Sequence, residues 1–225
     1  MFSLVMAGIG LGILVLGGVA LRWRAAAGGA ALLVALICLG LAYDNLAIAA
    51  GRLLGFGGTL EAVSAPRFWI HALLTPLLII AGGLMATRLG VRWTASRPVA
   101  VAGGALVLVL IAIGVFEDVL KLELAPEKYE DLVRYTNEGA GGPPIPAIVT
   151  ILVLLVLGGA IWRTAGSPWL FAGSIAMFAA AAFSGSHPWL GNLGELVLQA
   201  SLVATLAAAA RAGSPAVREH RPSTV

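Results

Sequence analysis

Residues 26–50 read AAGGAALLVALICLGLAYDNLAIAA, and Asp44 alone among them carries a charge. A helix of that length, rising 1.5 Å per residue, extends about 37 Å and exceeds the roughly 30 Å of a hydrocarbon core. The run has no period-two alternation, which excludes a lipid-facing strand. It reads as a membrane-spanning helix with one carboxylate near its far end.

Working outward, six more runs have the same character: 2–21, 68–88, 98–118, 145–163, 168–185 and 190–210. The chain of 225 residues is 60% hydrophobic and 11% charged, with a mean hydropathy of +0.97. Soluble domains carry about 25% charged residues, so this surface needs lipid. The expected fold is an all-α integral membrane protein, a seven-helix bundle forming a single domain over 1–211, with a disordered polar tail over 212–225. The first run lacks a basic leader and a small-residue cleavage site, and is expected to be a retained helix. Cys38, inside an apolar run, reads as a small buried hydrophobe.

The short turns after the first, third and fifth runs, together with the tail, hold nine arginines: 22, 24, 88, 92, 97, 163, 211, 218 and 221. The opposite side holds Arg52, Arg67, Lys121, Lys128 and Arg134. The positive-inside rule then makes the nine-arginine side cytoplasmic and the N-terminus external. Acids are more lopsided still, since ten of the eleven fall on the outer side and only Glu219 on the other. Any chemistry is therefore expected to face the extracytoplasmic side. Tryptophans and tyrosines near both sets of run ends read as interfacial belts. The expected location is a cell membrane crossed several times, of the bacterial inner or plasma type.

Two outer connections look long. Residues 51–66 read as a glycine-rich loop, and 119–144 as a charged segment with a short surface helix over about 125–135. Prolines at 143, 144 and 146 then start the fifth run, where the first helical turn tolerates them. Pro76 is expected to kink the third run by freeing a carbonyl near Ala72. Glycines along several runs let helix backbones approach closely.

Asp44 is the residue that most needs a partner, because an intramembrane carboxylate faces protein or a cavity and costs about 2.5–3.5 kcal/mol at mid-membrane. Tyr43 and Asn45 flank it, and Arg52 or Arg67 is the simplest counter-ion. Arg67, His71 and Thr75 follow one another at intervals of four, so one helical stripe carries guanidinium, imidazole and hydroxyl toward the same neighbour. The last run offers Asn192, Glu195 and Gln199 on another inward stripe, and His187 precedes it in a tight outer turn.

Asp44, His71, His187 and Glu195 are thus the candidate catalytic groups. Tyr43, Asn45, Arg52, Arg67, Thr75, Asn192 and Gln199 are the candidate substrate contacts. Asp44, His71 and His187 would supply the three protein ligands of a catalytic zinc ion, leaving an open position for water. The glycine-rich 51–59 segment lacks the lysine and the strand context of a phosphate-binding loop, although Arg52 and Arg67 beside it suit a lipid phosphate.

Two functional classes fit: binding or hydrolysis of a lipid-like substrate, aided by a metal, or a non-enzymatic carrier or accessory subunit using the same residues as an ion-pair network. Expected partners are membrane lipids and a second copy or another membrane protein. The basic residues sit where orientation signals belong, so nucleic acid is not an expected partner.

Overall fold

The computed structural model describes residues 1–185 and 187–212. The expectation of a disordered tail beyond Ala212 falls outside those residues. The element order is α1 (Phe2–Arg22), a short turn α2 (Arg24–Ala27), α3 (Gly29–Leu54), α4 (Gly58–Leu74), α5 (Leu77–Arg88) and α6 (Arg97–Gly114). A π-helical turn (Val115–Leu120) prolongs α6, and a hairpin follows, β1 (Leu124–Tyr129) and β2 (Leu132–Asn137). The chain ends in α7 (Ile145–Ala165), α8 (Trp169–Phe183) and α9 (Pro188–Ala212).

The protein is a helical, multi-pass membrane protein. Among the described residues, six helical stretches are long and apolar enough to cross a bilayer, counting α4 with α5 and α6 with its π turn, while α8 is apolar but only 15 residues long. The central member is α3, packed against α1, α4, α5 and α9. Two thirds of its apolar window (67%) is buried, against 17% for α6, which lies at the margin. Small residues make α3 the hub: Ala30, Ala31, Ala42 and Ala47 are buried along it and let neighbouring helices close in. At Gly158 of α7 the backbone of Phe171 on α8 comes so close that no Cβ would fit.

Two loop expectations are corrected. The connection expected over 51–66 shrinks to Gly55–Gly57, where Gly55 (φ +67°) and Gly57 (φ +144°) turn the chain, and α4 starts at Gly58. Leu60, Ser64 and Arg67 form a buried stripe at helical spacing, and that stripe outweighs the local glycine content. The helix tolerates Pro66 in its interior, with the Tyr43 hydroxyl donating to the Val63 carbonyl nearby. At Thr75–Pro76 the helix does break, dividing α4 from α5.

The surface helix expected over 125–135 is instead the hairpin, paired antiparallel from Leu124↔Asn137 to Tyr129↔Leu132. Docking decides it. Leu132 and Tyr135 are buried, and the Asp131 carboxylate accepts the backbone amides of Phe2 (2.7 Å) and Ser3 (3.3 Å) as well as the Met1 ammonium. Asp131 thereby caps the first turn of α1, and Arg52 reaches it at 3.5 Å. These bonds hold Glu130 in a left-handed conformation, φ 53°, that a non-glycine residue adopts only when its surroundings demand it. On α3, Gly51 lies so close to the Val133 carbonyl that a Cβ there would overlap it.

Gly51→Ala is therefore expected to lift β2 off α3 and to cost about 1–3 kcal/mol, the usual penalty of overpacking. Detergent melting and proteolysis within 124–137 would show it, with Gly83→Ala, whose Cβ meets nothing within 4 Å, as a control that melts no lower.

The hydrogen bond from the Met1 ammonium, with those from Phe2 and Ser3, holds the Asp131 carboxyl below the usual carboxylate range, against desolvation. A depressed pKa contributes stability that is complete above the unfolded value of about 3.9 and lost as the pH falls below it. Amide protection of the hairpin should accordingly be constant from neutral pH to about 5 and decline under stronger acid. Unchanged protection under acid, or protection already lost between pH 7 and 5, would count against this anchor.

Candidate functional site

The end of the bundle that carries the hairpin also carries the acids, and beneath the hairpin the inward faces of α3, α4 and α9 meet. Asp44 and Asn45 are buried on α3. Arg67 on α4 donates from Nε to Asp44 Oδ1 at 2.7 Å and from a terminal nitrogen to the Tyr135 carbonyl of β2 at 3.2 Å. One guanidinium thus neutralises the α3 carboxylate and ties the hairpin to it, with the short distance of a charge-assisted bond.

One turn further along α4, His71 Nε2 lies 3.7 Å from Asp44 Oδ2 and 4.0 Å from Glu195 Oε1. Asn192, nearly one turn before Glu195 on α9, points its amide at Asp44 Oδ2 from 3.5 Å. The protein thus contains a buried Asp44–His71–Glu195 cluster, one donor atom from each lying within 4.8 Å of the others. Two oxygens beside it, Asn45 Oδ1 and Glu195 Oε2, are buried without a hydrogen-bond partner among the described residues. A cavity of about 280 Å³ opens onto the group, with Asp44, Arg67, His71, Asn192 and Glu195 in its wall and Arg134 of β2 above.

The remaining candidates are distributed as follows. Asn45 donates to the Leu41 carbonyl at 2.9 Å. Thr75 lines a second cavity of about 230 Å³ between α4, the π turn and the start of α7, together with Phe68, His71, Ala72 and Asp118. His71 is the residue common to both cavities. Gln199 is fully buried one turn deeper than Glu195; its Oε1 lies 3.5 Å from Cys38 Sγ, and its Nε2 has no partner among the described residues.

Three candidates stand elsewhere. Tyr43 is exposed, its hydroxyl bonded to the Val63 carbonyl. Arg52, a possible counter-ion of Asp44, is exposed and reaches Asp131, so Arg52 and Arg67 do not converge on a common phosphate. His187 is exposed with its ring edge-on to Trp189, centroids 6.5 Å apart. It stands outside the three-donor group of Asp44, His71 and Glu195. The reason is depth: His187 precedes the first residue of α9, and Glu195 lies two turns down that helix, about 10 Å lower.

Arg134 was not among the sequence candidates. It lines the cavity and pairs with Glu127 through two nitrogens at 2.9 and 3.0 Å. The signal for it was the run Leu132–Asn137, rich in β-branched and aromatic residues that favour a strand, across a tight turn from Leu124–Tyr129.

Compared with known proteins, the chain matches no family, no curated protein and no solved structure.

Asp44→Asn leaves the Arg67 guanidinium buried without its anion and is expected to cost about 3–5 kcal/mol. Arg67→Met added to Asp44→Asn should restore part of that loss, because the stranded charge is gone. Equal melting of Asp44→Asn and wild type in detergent would show that the pair is not structural.

Proposed function

We propose that the acidic-end cavity binds a divalent cation, zinc by its ligand set, between Asp44 Oδ2, His71 Nε2 and Glu195, and that the ion presents the polar group of a lipid-like substrate for hydrolysis. The observation that carries this reading is the spacing of the three donors. His71 stands 3.7 and 4.0 Å from the two carboxylates, too far for direct hydrogen bonds. Ligands bound at about 2.0–2.2 Å in a tetrahedron lie roughly 3.3–3.6 Å apart, so a small inward movement of each would complete the first shell.

Charge supports the same reading. Asp44 and Glu195 bring two negative charges against the single guanidinium of Arg67, so with a neutral imidazole the cluster lacks a cation. Asn45 Oδ1 and Glu195 Oε2, both buried acceptors without a partner among the described residues, lie where an ion and its water would satisfy them.

Such an ion lowers the pKa of a bound water and polarises a carbonyl or phosphoryl oxygen. Around it, Glu195 Oε2 is placed to accept a proton, and Arg134 and Asn192 line the polar cavity for an anionic or carbonyl group. The second cavity, with Phe68, Ala72, Pro144, Pro146 and Ala147 in its wall, offers an apolar approach to His71 from the side of the bundle. In the proposed arrangement the chain crosses the membrane seven times, α8 included, with the acidic end outside a bacterial inner membrane.

One observation favours a second reading. The 2.7 Å contact between Arg67 and Asp44, with a protonated His71 between the two carboxylates, makes a neutral network that needs no metal, as in a proton-coupled carrier or an accessory subunit.

Metal analysis of detergent-purified protein separates the two. The metal reading expects one zinc per chain, lost in His71→Ala and Glu195→Gln, both of which keep the Asp44–Arg67 pair and fold, but melt at the temperature of zinc-free wild type and no longer respond to added zinc. Fatty-acid or headgroup release from a lipid panel should disappear in the same variants. Zinc-free wild type that gains no stability when zinc is added would end the metal reading.

A further inference from the structure

At the opposite end of the bundle, the turn between α5 and α6 and the ends of α7 and α8 border an open cavity of about 1040 Å³. Arg92 and Trp93 come from the turn, Trp162, Arg163 and Thr164 from the end of α7, and Phe171 from α8. The two arginines are exposed, and neither contacts an acidic side chain among the described residues. Other arginines at this end have local uses: Arg24 donates to the Leu21 carbonyl and Arg88 to that of Ala26. Arg92 and Arg163 have no such bond among the described residues, and both line one space.

Beside that space lies an apolar groove of about 610 Å³ between α5, α6 and α7, with Trp93 and Val156 lining both. The groove runs from Thr94 and Val99 at the basic end to Ile80, Leu106 and Val149. Gly83 and Gly103 on facing walls leave it open, since a Cβ at either would meet nothing within 4 Å. The combined shape is amphipathic, with two cations and two indoles at the interface and an apolar channel along the helices.

We infer that this paired cavity and groove bind one anionic phospholipid of the adjacent leaflet, its phosphodiester between Arg92 and Arg163 and an acyl chain along α5, α6 and α7. Guanidinium groups bind phosphate oxygens bidentately. Tryptophans hold the headgroup level, and basic pockets between helix ends suit anionic headgroups. A zwitterionic lipid fits the groove equally but carries a cation toward two arginines, so charge selects between the two. A free phosphate ester would use the arginines without the groove.

The test uses full-length protein in neutral detergent, titrated separately with phosphatidylglycerol and phosphatidylcholine of identical chains and followed by native mass spectrometry and melting temperature. Phosphatidylglycerol is expected to bind and raise the melting temperature, and phosphatidylcholine to do neither. Each arginine near a membrane surface is worth about fivefold in affinity, so Arg92→Gln with Arg163→Gln should weaken phosphatidylglycerol about 25-fold. Gly83→Leu with Gly103→Leu keeps both arginines and fills the groove; it should weaken long-chain phosphatidylglycerol and leave dihexanoyl phosphatidylglycerol unaffected. That pair of variants decides the matter should the arginine variant not fold. Equal binding of the two lipids by wild type, undiminished binding by the arginine variant or a groove variant indifferent to chain length would overturn the assignment. Glycerol phosphate binding as tightly as phosphatidylglycerol would also overturn it, making the site one for a free anion.

Discussion

A carboxylate inside an apolar bundle has to be neutralised where it stands, and much of the acidic end follows from how Asp44 meets that requirement. Arg67 is the counter-ion, and a second of its donors is taken by a backbone carbonyl of β2. The pair fixes the depth of α4 against α3 and gives the hairpin a reason to lie over both. Gly51 then allows the hairpin backbone to touch α3, and Asp131 at its turn caps α1. Buried ion pairs are costly to assemble and costlier to break, so this arrangement specifies geometry more than it adds stability.

The sequence disclosed the cluster because its members sit at helical intervals. Arg67 and His71 are four apart, Asn192 and Glu195 three, and the matching depth of Asp44 follows from counting residues along α3. It disclosed less where tertiary contacts overrule local preference. Glycine content suggested a loop over 51–66, whereas α3 runs on to Leu54 and the buried Leu60–Ser64–Arg67 stripe belongs to α4, which starts at Gly58. The charged 125–135 segment suggested a helix, yet its conformation depends on Asp131 reaching residues about 130 positions away. No window of local sequence contains that contact. His187 stands outside the three-donor group for a related reason, because its depth is set by where α9 begins.

The two ends of the molecule divide their chemistry by charge. The described acids all lie toward the hairpin end, Asp44 and Glu195 among buried partners, while the arginines of the other end stand in short turns without acids among the described residues. Orientation signals alone would explain basic turns. They do not explain why Arg92 and Arg163 border one cavity, flanked by indoles, above a groove kept open by two glycines. The peripheral position of α6 accounts for that groove. It packs against α5, α7 and α4 at the edge of the bundle, so the space between them faces lipid.

Unpaired polar atoms bear on why the cluster exists at all. A buried donor or acceptor left unsatisfied costs about 1–3 kcal/mol, and several in the bundle have no partner among the described residues, Asn45 Oδ1, Glu195 Oε2 and Gln199 Nε2 included. A purely structural network gains by pairing such atoms or replacing them with apolar groups of similar shape. Asn45 and Glu195 keep theirs beside the imidazole, and both are acceptors, which is the demand of a cation or a hydrogen-donating group. The free nitrogen of Gln199, one turn deeper, is a donor and calls for an acceptor. No single ion satisfies both needs. The polar face of α9 thus presents two unlike requirements in sequence along its axis, a cation or a hydrogen-bond donor at the cavity and an acceptor below it, the second of which a buried water would supply.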